Sequence, residues 1–192
     1  MEQAPLSFIE GTAALQSANH LEMEFAKDRW DARNIPGLRY GPHGNLYYIN
    51  FLPVPALFRS LVKSYARFKF AEGRVASTLI RGVYCVGNFL TFFVQCYPQS
   101  MTLQALSLRD IDAFVGVLKA QAESRRLRDE YQHLHHHILY LEDFLCYLER
   151  SQHPVRPSEP TSRLIWSYHY PKRDRPRSGG VKYIPCLLYT SP

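Results

Sequence analysis

A chain of 192 residues with 46% hydrophobic and 14% aromatic content has enough apolar material for one ordinary domain or two small ones, which excludes wholesale disorder. A formal charge of +6 and a pI of about 9.2 point to an anionic partner such as phosphate. The N-terminus lacks the basic and apolar regions of a leader, and the longest apolar stretch, Val83 to Cys96, is interrupted by Gly87, Asn88, Thr91 and Gln95 and falls short of the roughly 20 residues a bilayer span needs. A cytoplasmic location with no membrane partner is therefore expected.

Charge is unevenly distributed. The first 31 residues carry six acids against Lys27 and Arg29, a balance of −4, and residues 1–54 read as a partly irregular N-terminal extension. Apolar alternation from Leu46 to Phe51 fits an isolated strand or simply an extended segment. From Pro55, a favourable early proline, Leu57, Leu61, Tyr65 and Phe68 recur at helical spacing. The other face of that helix begins a basic block over residues 56–81, where Arg59, Lys63, Arg67, Lys69, Arg74 and Arg81 meet only Glu72, a balance of +5.

Beyond the break at Gly73, Ser77 and Thr78 are candidate N-caps for a helix whose Leu79, Val83, Val86, Leu90 and Phe93 share a face up to Pro98. Ser107 and Asp110 have capping-box spacing ahead of Ile111, Phe114, Val115 and Leu118, which predicts a third helix. From Ser124 to Arg150 there is no Gly or Pro, and Leu134, Ile138, Leu141, Leu145 and Leu148 predict a fourth that stops before Pro154. The domain is thus expected over 55–152, followed by a Pro-rich basic linker over 153–185.

Residues Cys186 to Pro192 match what one frame of a transposon-end sequencing adapter encodes, so the natural sequence is expected to hold to Pro185 and the protein to continue beyond it. Cys85, Cys96 and Cys146 then remain, an odd number without Cys-x-x-Cys spacing, as reduced thiols would.

Little of this resembles an active site. His133, His136 and His137 share adjoining helical surface, but no cysteine or well-placed carboxylate completes a zinc site, so surface and boundary imidazoles are expected and no metal or cofactor. His153-Pro-Val-Arg156 has a His-x-x-Arg spacing in a Pro-rich stretch too loose to hold it for catalysis. No nucleophile elbow, Walker, Rossmann or zinc-protease pattern gives Ser, His or Asp a geometry.

The order of elements is more informative. A basic helix, a helix opened at Ser77-Thr78, then Leu108-Arg-Asp-Ile111-Asp-Ala-Phe114 and Leu141-Glu-Asp-Phe144-Leu-Cys-Tyr-Leu148 resemble the N-terminal core-binding domain of tyrosine-type site-specific recombinases, the phage and transposon integrases. Arg163-Leu-Ile165, Pro171-Lys-Arg173 and Val181-Lys-Tyr-Ile-Pro185 are similar to the linker that enters the catalytic domain in a transposon-borne branch. The resemblance covers residues 45–185. It implies an all-α, SAM-like bundle of four to five helices that clamps one side of a recombination half-site alongside other recombinase protomers. The family's Arg, Lys, His-x-x-Arg pair and nucleophilic Tyr, which act through a 3'-phosphotyrosine, belong to a later domain, so this stretch is expected to carry no catalytic residue of its own.

For such a module, affinity comes mainly from Lys and Arg neutralising phosphates, with backbone N–H groups at the turn of Ser77 and Thr78 contributing. The candidate contacts to double-stranded DNA are Lys63, Arg67, Lys69, Arg74, Ser77, Thr78 and Arg81, then Arg125, Arg126 and Arg128, with Arg156, Lys172, Arg173, Arg175 and Arg177 crossing the backbone from the linker. The alternative is a free-standing helical protein-interaction module whose basic surface is incidental.

Overall fold

The computed structural model describes residues 19–41, 47–124 and 130–172. They form a mostly helical bundle: α1 (19–26), β1 (Arg29–Asp31), β2 (Tyr48–Asn50), α2 (Ala56–Ala71), α3 (Ala76–Cys96), α4 (Leu108–Ser124), α5 (Glu130–Arg150) and a single-turn α6 (Thr161–Leu164). The fold class is the one expected from the helical periodicities. α3 is the central helix, packed against α2 and α5, while α5 also carries α4. It is 21 residues long and apolar enough to span a membrane by length and composition, but half of its most apolar window is buried inside the bundle.

The predicted inward faces hold for three of the four long helices. Leu79, Val83, Val86, Leu90 and Phe93 of α3, Ile111, Phe114, Val115 and Leu118 of α4, and Leu134, Ile138, Leu141, Leu145 and Leu148 of α5 are all buried. α2 is turned by about one residue: Phe58, Leu61, Val62, Tyr65, Ala66 and Lys69 face inward, leaving Leu57 and Phe68 exposed. A helix carrying apolar residues on neighbouring rows can bury either set, and the choice is made by what packs on it.

Helix starts also differ in detail. Pro55 is the N-cap of α2 rather than its first residue. α3 begins at Ala76 with Val75 as its N-cap and no side-chain cap, so Ser77 and Thr78 lie inside the first turn instead of capping it. Ser107 opens α4 as expected, with its backbone N–H and its hydroxyl both donating to Asp110 Oδ2, at 2.9 and 2.7 Å. The shorter Asp thereby does the job of the usual Glu in the capping box.

Two expected boundaries are corrected. The described residues before 55 are no mere extension: Trp30, Ile49 and Phe51 are fully buried, and β1 pairs antiparallel with β2 so that Trp30 faces Ile49. The Trp30 indole N–H is shared between the Phe25 and Lys27 carbonyls at 3.1 Å each. Nor are residues 153–172 simply a linker. Val155 accepts from Leu103 N–H at 2.9 Å, Leu164 and Ile165 enter the core, and the buried His169 accepts from Trp166 N–H at 2.8 Å while its other ring nitrogen meets Asp112 at 3.0 Å. Tyr170 closes this strap by donating to Glu142. The prolines set an extended path, but the apolar residues between and after them fasten it to α4 and α5. One core cluster runs from Phe25 to Ile165.

Candidate nucleic-acid interface

The basic block over 56–81 splits into two environments. On α2, Lys63 pairs with Asp28 at 2.8 Å and donates to the Ala26 carbonyl at 2.9 Å, and Arg59 meets the same Asp28 at 2.7 Å. The Lys63 ammonium, with the Arg59 guanidinium, holds the Asp28 carboxyl below the usual carboxylate range. Arg67 pairs with Glu22 at 2.5 Å and lies over the Phe25 ring. The segment that holds Glu22 and Asp28 thus lies along the basic face of α2 and offsets Arg59, Lys63 and Arg67. It is anchored there by Phe25, Trp30 and the buried Glu24. Burial pushes the Glu24 carboxyl up, but donors from Lys27, Asp31 N–H and Asn34 outweigh that and hold it low.

Lys69 points the other way. Its side chain is only 10% exposed and its ammonium meets Asp143 at 2.8 Å and Glu72 at 2.6 Å, while Tyr65 donates to the other Asp143 oxygen at 2.6 Å. Burial opposes the Lys69 charge, but the two carboxylates more than restore it and its pKa rises. Expecting Lys63, Arg67 and Lys69 to form one outward cationic face is therefore corrected: two are spent on the N-terminal acids and the third joins α2 to α5.

The remaining candidates come together on the outer face of α3 and α5. Arg74, Ser77 and Arg81 are exposed and Thr78 is half-buried. No carboxylate pairs with Arg74 or Arg81 among the described residues. Arg74 and Thr78 border a cavity of about 170 Å³ with Leu139, Tyr140, Lys69 and Asp143. Arg81 Nη1 lies 3.4 Å from His136 Nε2. A guanidinium only donates, so in this contact the His136 nitrogen is the acceptor. Gly82 permits this closeness of helices, since a Cβ there would stand 3.3 Å from the Tyr140 ring.

The expected supply of backbone donors at the start of α3 is mostly consumed within the fold. Ala76 N–H donates to the Arg39 carbonyl at 2.8 Å and Thr78 N–H to Val75 at 3.0 Å. Arg125, Arg126, Arg128, Arg173, Arg175 and Arg177 lie outside the described residues, while Arg156 and Lys172 are exposed.

The histidines divide rather than converge. His137 is buried, with its Nδ1 at 2.8 Å from the His133 carbonyl and its Nε2 at 3.0 Å from the Asn88 amide. Burial depresses its pKa to about 4, so it is neutral at physiological pH. His136 faces Arg81 on the outside, and no three metal-ligating side chains gather among the described residues. Sequence reasoning missed His136 and Tyr140 as members of the face, although their spacing of four on one helix stripe with Asp143 was a usable signal.

Compared with protein-family models, with curated proteins and with solved structures, the chain matches none.

Proposed function

We propose that this chain is a duplex-DNA-binding module, the core-binding part of a tyrosine-type site-specific recombinase acting in the bacterial cytosol. The observation that carries the reading is the α3–α5 face, where Arg74 and Arg81 stand without carboxylate partners beside Thr78, His136 and Tyr140. Where the basic residues of α2 are balanced by acids of the same chain, these are left to meet charge from outside. Guanidinia without a carboxylate partner among the described residues, flanked by hydroxyl and aromatic groups, suit phosphate contacts, which position a protein on DNA without reading sequence. Base readout would fall to neighbouring side chains. Strand exchange belongs to the family's catalytic domain, so this segment binds and orients DNA.

The test is fluorescence anisotropy with a labelled duplex. Replacing Arg74 and Arg81 together by Ala should weaken binding strongly, whereas Ala at Lys63 and Arg67 should leave it nearly unchanged. Equal affinity in the Arg74/Arg81 variant would overturn the assignment of this face.

A second reading, docking of a protein partner, is favoured by an uncharged groove of about 380 Å³ between α3 and α4, lined by Tyr84, Phe92, Val117, Asn88 and Gln121 among others. It predicts binding indifferent to salt.

A further inference from the structure

The loop ahead of β2 adds a cation that the sequence pattern does not mark. Ile35-Pro36-Gly37-Leu38 closes as a turn in which Leu38 N–H donates to the Ile35 carbonyl at 3.1 Å. Gly37 sits at φ +80°, the left-handed conformation that the third position of a Pro-Gly type II turn requires. Ile35 and Leu38 are both buried in the core. The next residue, Arg39, gives its carbonyl to Ala76 N–H at 2.8 Å. Its backbone is therefore fixed from both sides, by the core through Leu38 and by the first residue of α3.

The side chains that follow point to water. Arg39 is exposed, Tyr40 is 49% exposed, and no carboxylate pairs with Arg39 among the described residues. Arg74 lies two residues before Ala76, a Cα separation of at most about 7.6 Å. The loop thus sets a third guanidinium, without a carboxylate partner among the described residues, beside the start of α3 near Arg74, on a backbone already held by the fold. An anchored cation loses less entropy on contact than one on a mobile loop.

We propose that Arg39 is a phosphate contact of the same interface, so that the loop over 38–40 and the α3–α5 face together grip one strand of a duplex; this rests on the DNA-binding reading above. Each phosphate neutralised contributes about −0.9 to the log-log slope of affinity against salt. The experiment measures that slope for the full chain on a blunt duplex of mixed sequence, for wild type, Arg39→Ala, Arg39→Lys, Arg74→Ala and Lys63→Ala. Wild type should be salt-dependent, Arg39→Ala and Arg74→Ala should each be shallower by about 1, and Arg39→Lys should keep the wild-type slope. Lys63→Ala should also leave it unmoved. If Arg74→Ala is shallower but Arg39→Ala matches wild type, the loop contact is refuted and the DNA-binding reading stands. Wild type with no salt-dependent binding overturns both. Arg39→Gln, which keeps the long polar stem, distinguishes lost charge from a disturbed loop: a slope equal to wild type would count against the proposal.

Discussion

Lowering the pH from 7 to about 4.5 should weaken the fold through one buried imidazole. His137 is 2% exposed, hydrogen-bonded in its neutral form by Asn88 and the His133 carbonyl, and its pKa in the folded state is about 4 against an ordinary value of 6.5. The depressed value means that the unfolded chain takes up a proton that the folded one refuses between those two pH values, so stability falls as pH drops through 6.5 and the loss is complete near 4. A difference of about 2.5 units at 1.36 kcal/mol each sets an upper bound of about 3 kcal/mol, a large part of a typical domain's stability. Carboxylates such as Glu24 and Asp28, whose pKa values are lowered by their partners, add their own loss at still lower pH. Urea denaturation followed by circular dichroism at several pH values, with His137→Gln alongside, isolates the imidazole because Gln keeps a donor and an acceptor without titrating. Wild type should lose about 2 to 3 kcal/mol more than the variant between pH 7 and 4.5. Parallel curves for the two proteins would refute the reasoning.

Other outcomes follow from the same packing. Leu145→Ala, at a fully buried α5 position, should cost about 2 to 5 kcal/mol in chemical denaturation, and a smaller loss would mean that the core closes over the gap. Lys69→Ala should destabilise by about 1 to 3 kcal/mol by leaving Asp143 short of its main charged partner while barely altering DNA affinity; a clear fall in affinity at unchanged stability would restore Lys69 to the interface. Gly82→Val should lower the melting temperature by forcing α3 from the Tyr140 ring, at about 1 to 3 kcal/mol, and an unchanged melting temperature would show that Tyr140 moves freely.

Long-helix periodicity was readable because α4 and α5 each bury one stripe and the wider buried face of α3 contains one, so leucines and phenylalanines at spacings of three and four name core positions directly. α2 was legible as a helix but not in its orientation, since Leu57 and Phe68 compete with Phe58 and Val62 for the core and tertiary packing decides. Of the N-terminal strand pair, only β2 was hinted at, by the alternation from Leu46 to Phe51, whereas β1 and the C-terminal strap escaped notice because a three-residue strand and a single helical turn have no period to detect. The site was half legible. Composition marked a basic block over 56–81 and an acidic stretch before it, but their mutual cancellation depends on Asp28 and Glu22 lying against α2, which local sequence does not encode. Arg39 was invisible for the same reason, its meaning coming from a backbone bond to a residue 37 positions away.

The most direct test of the central claim is the salt dependence of wild-type binding to duplex DNA. A module whose Arg39, Arg74 and Arg81 each neutralise a phosphate should lose affinity with a log-log slope of about −2.7 or steeper. A slope near zero, or no binding to duplex at low salt, would contradict the account and favour docking of a protein partner in the groove between α3 and α4.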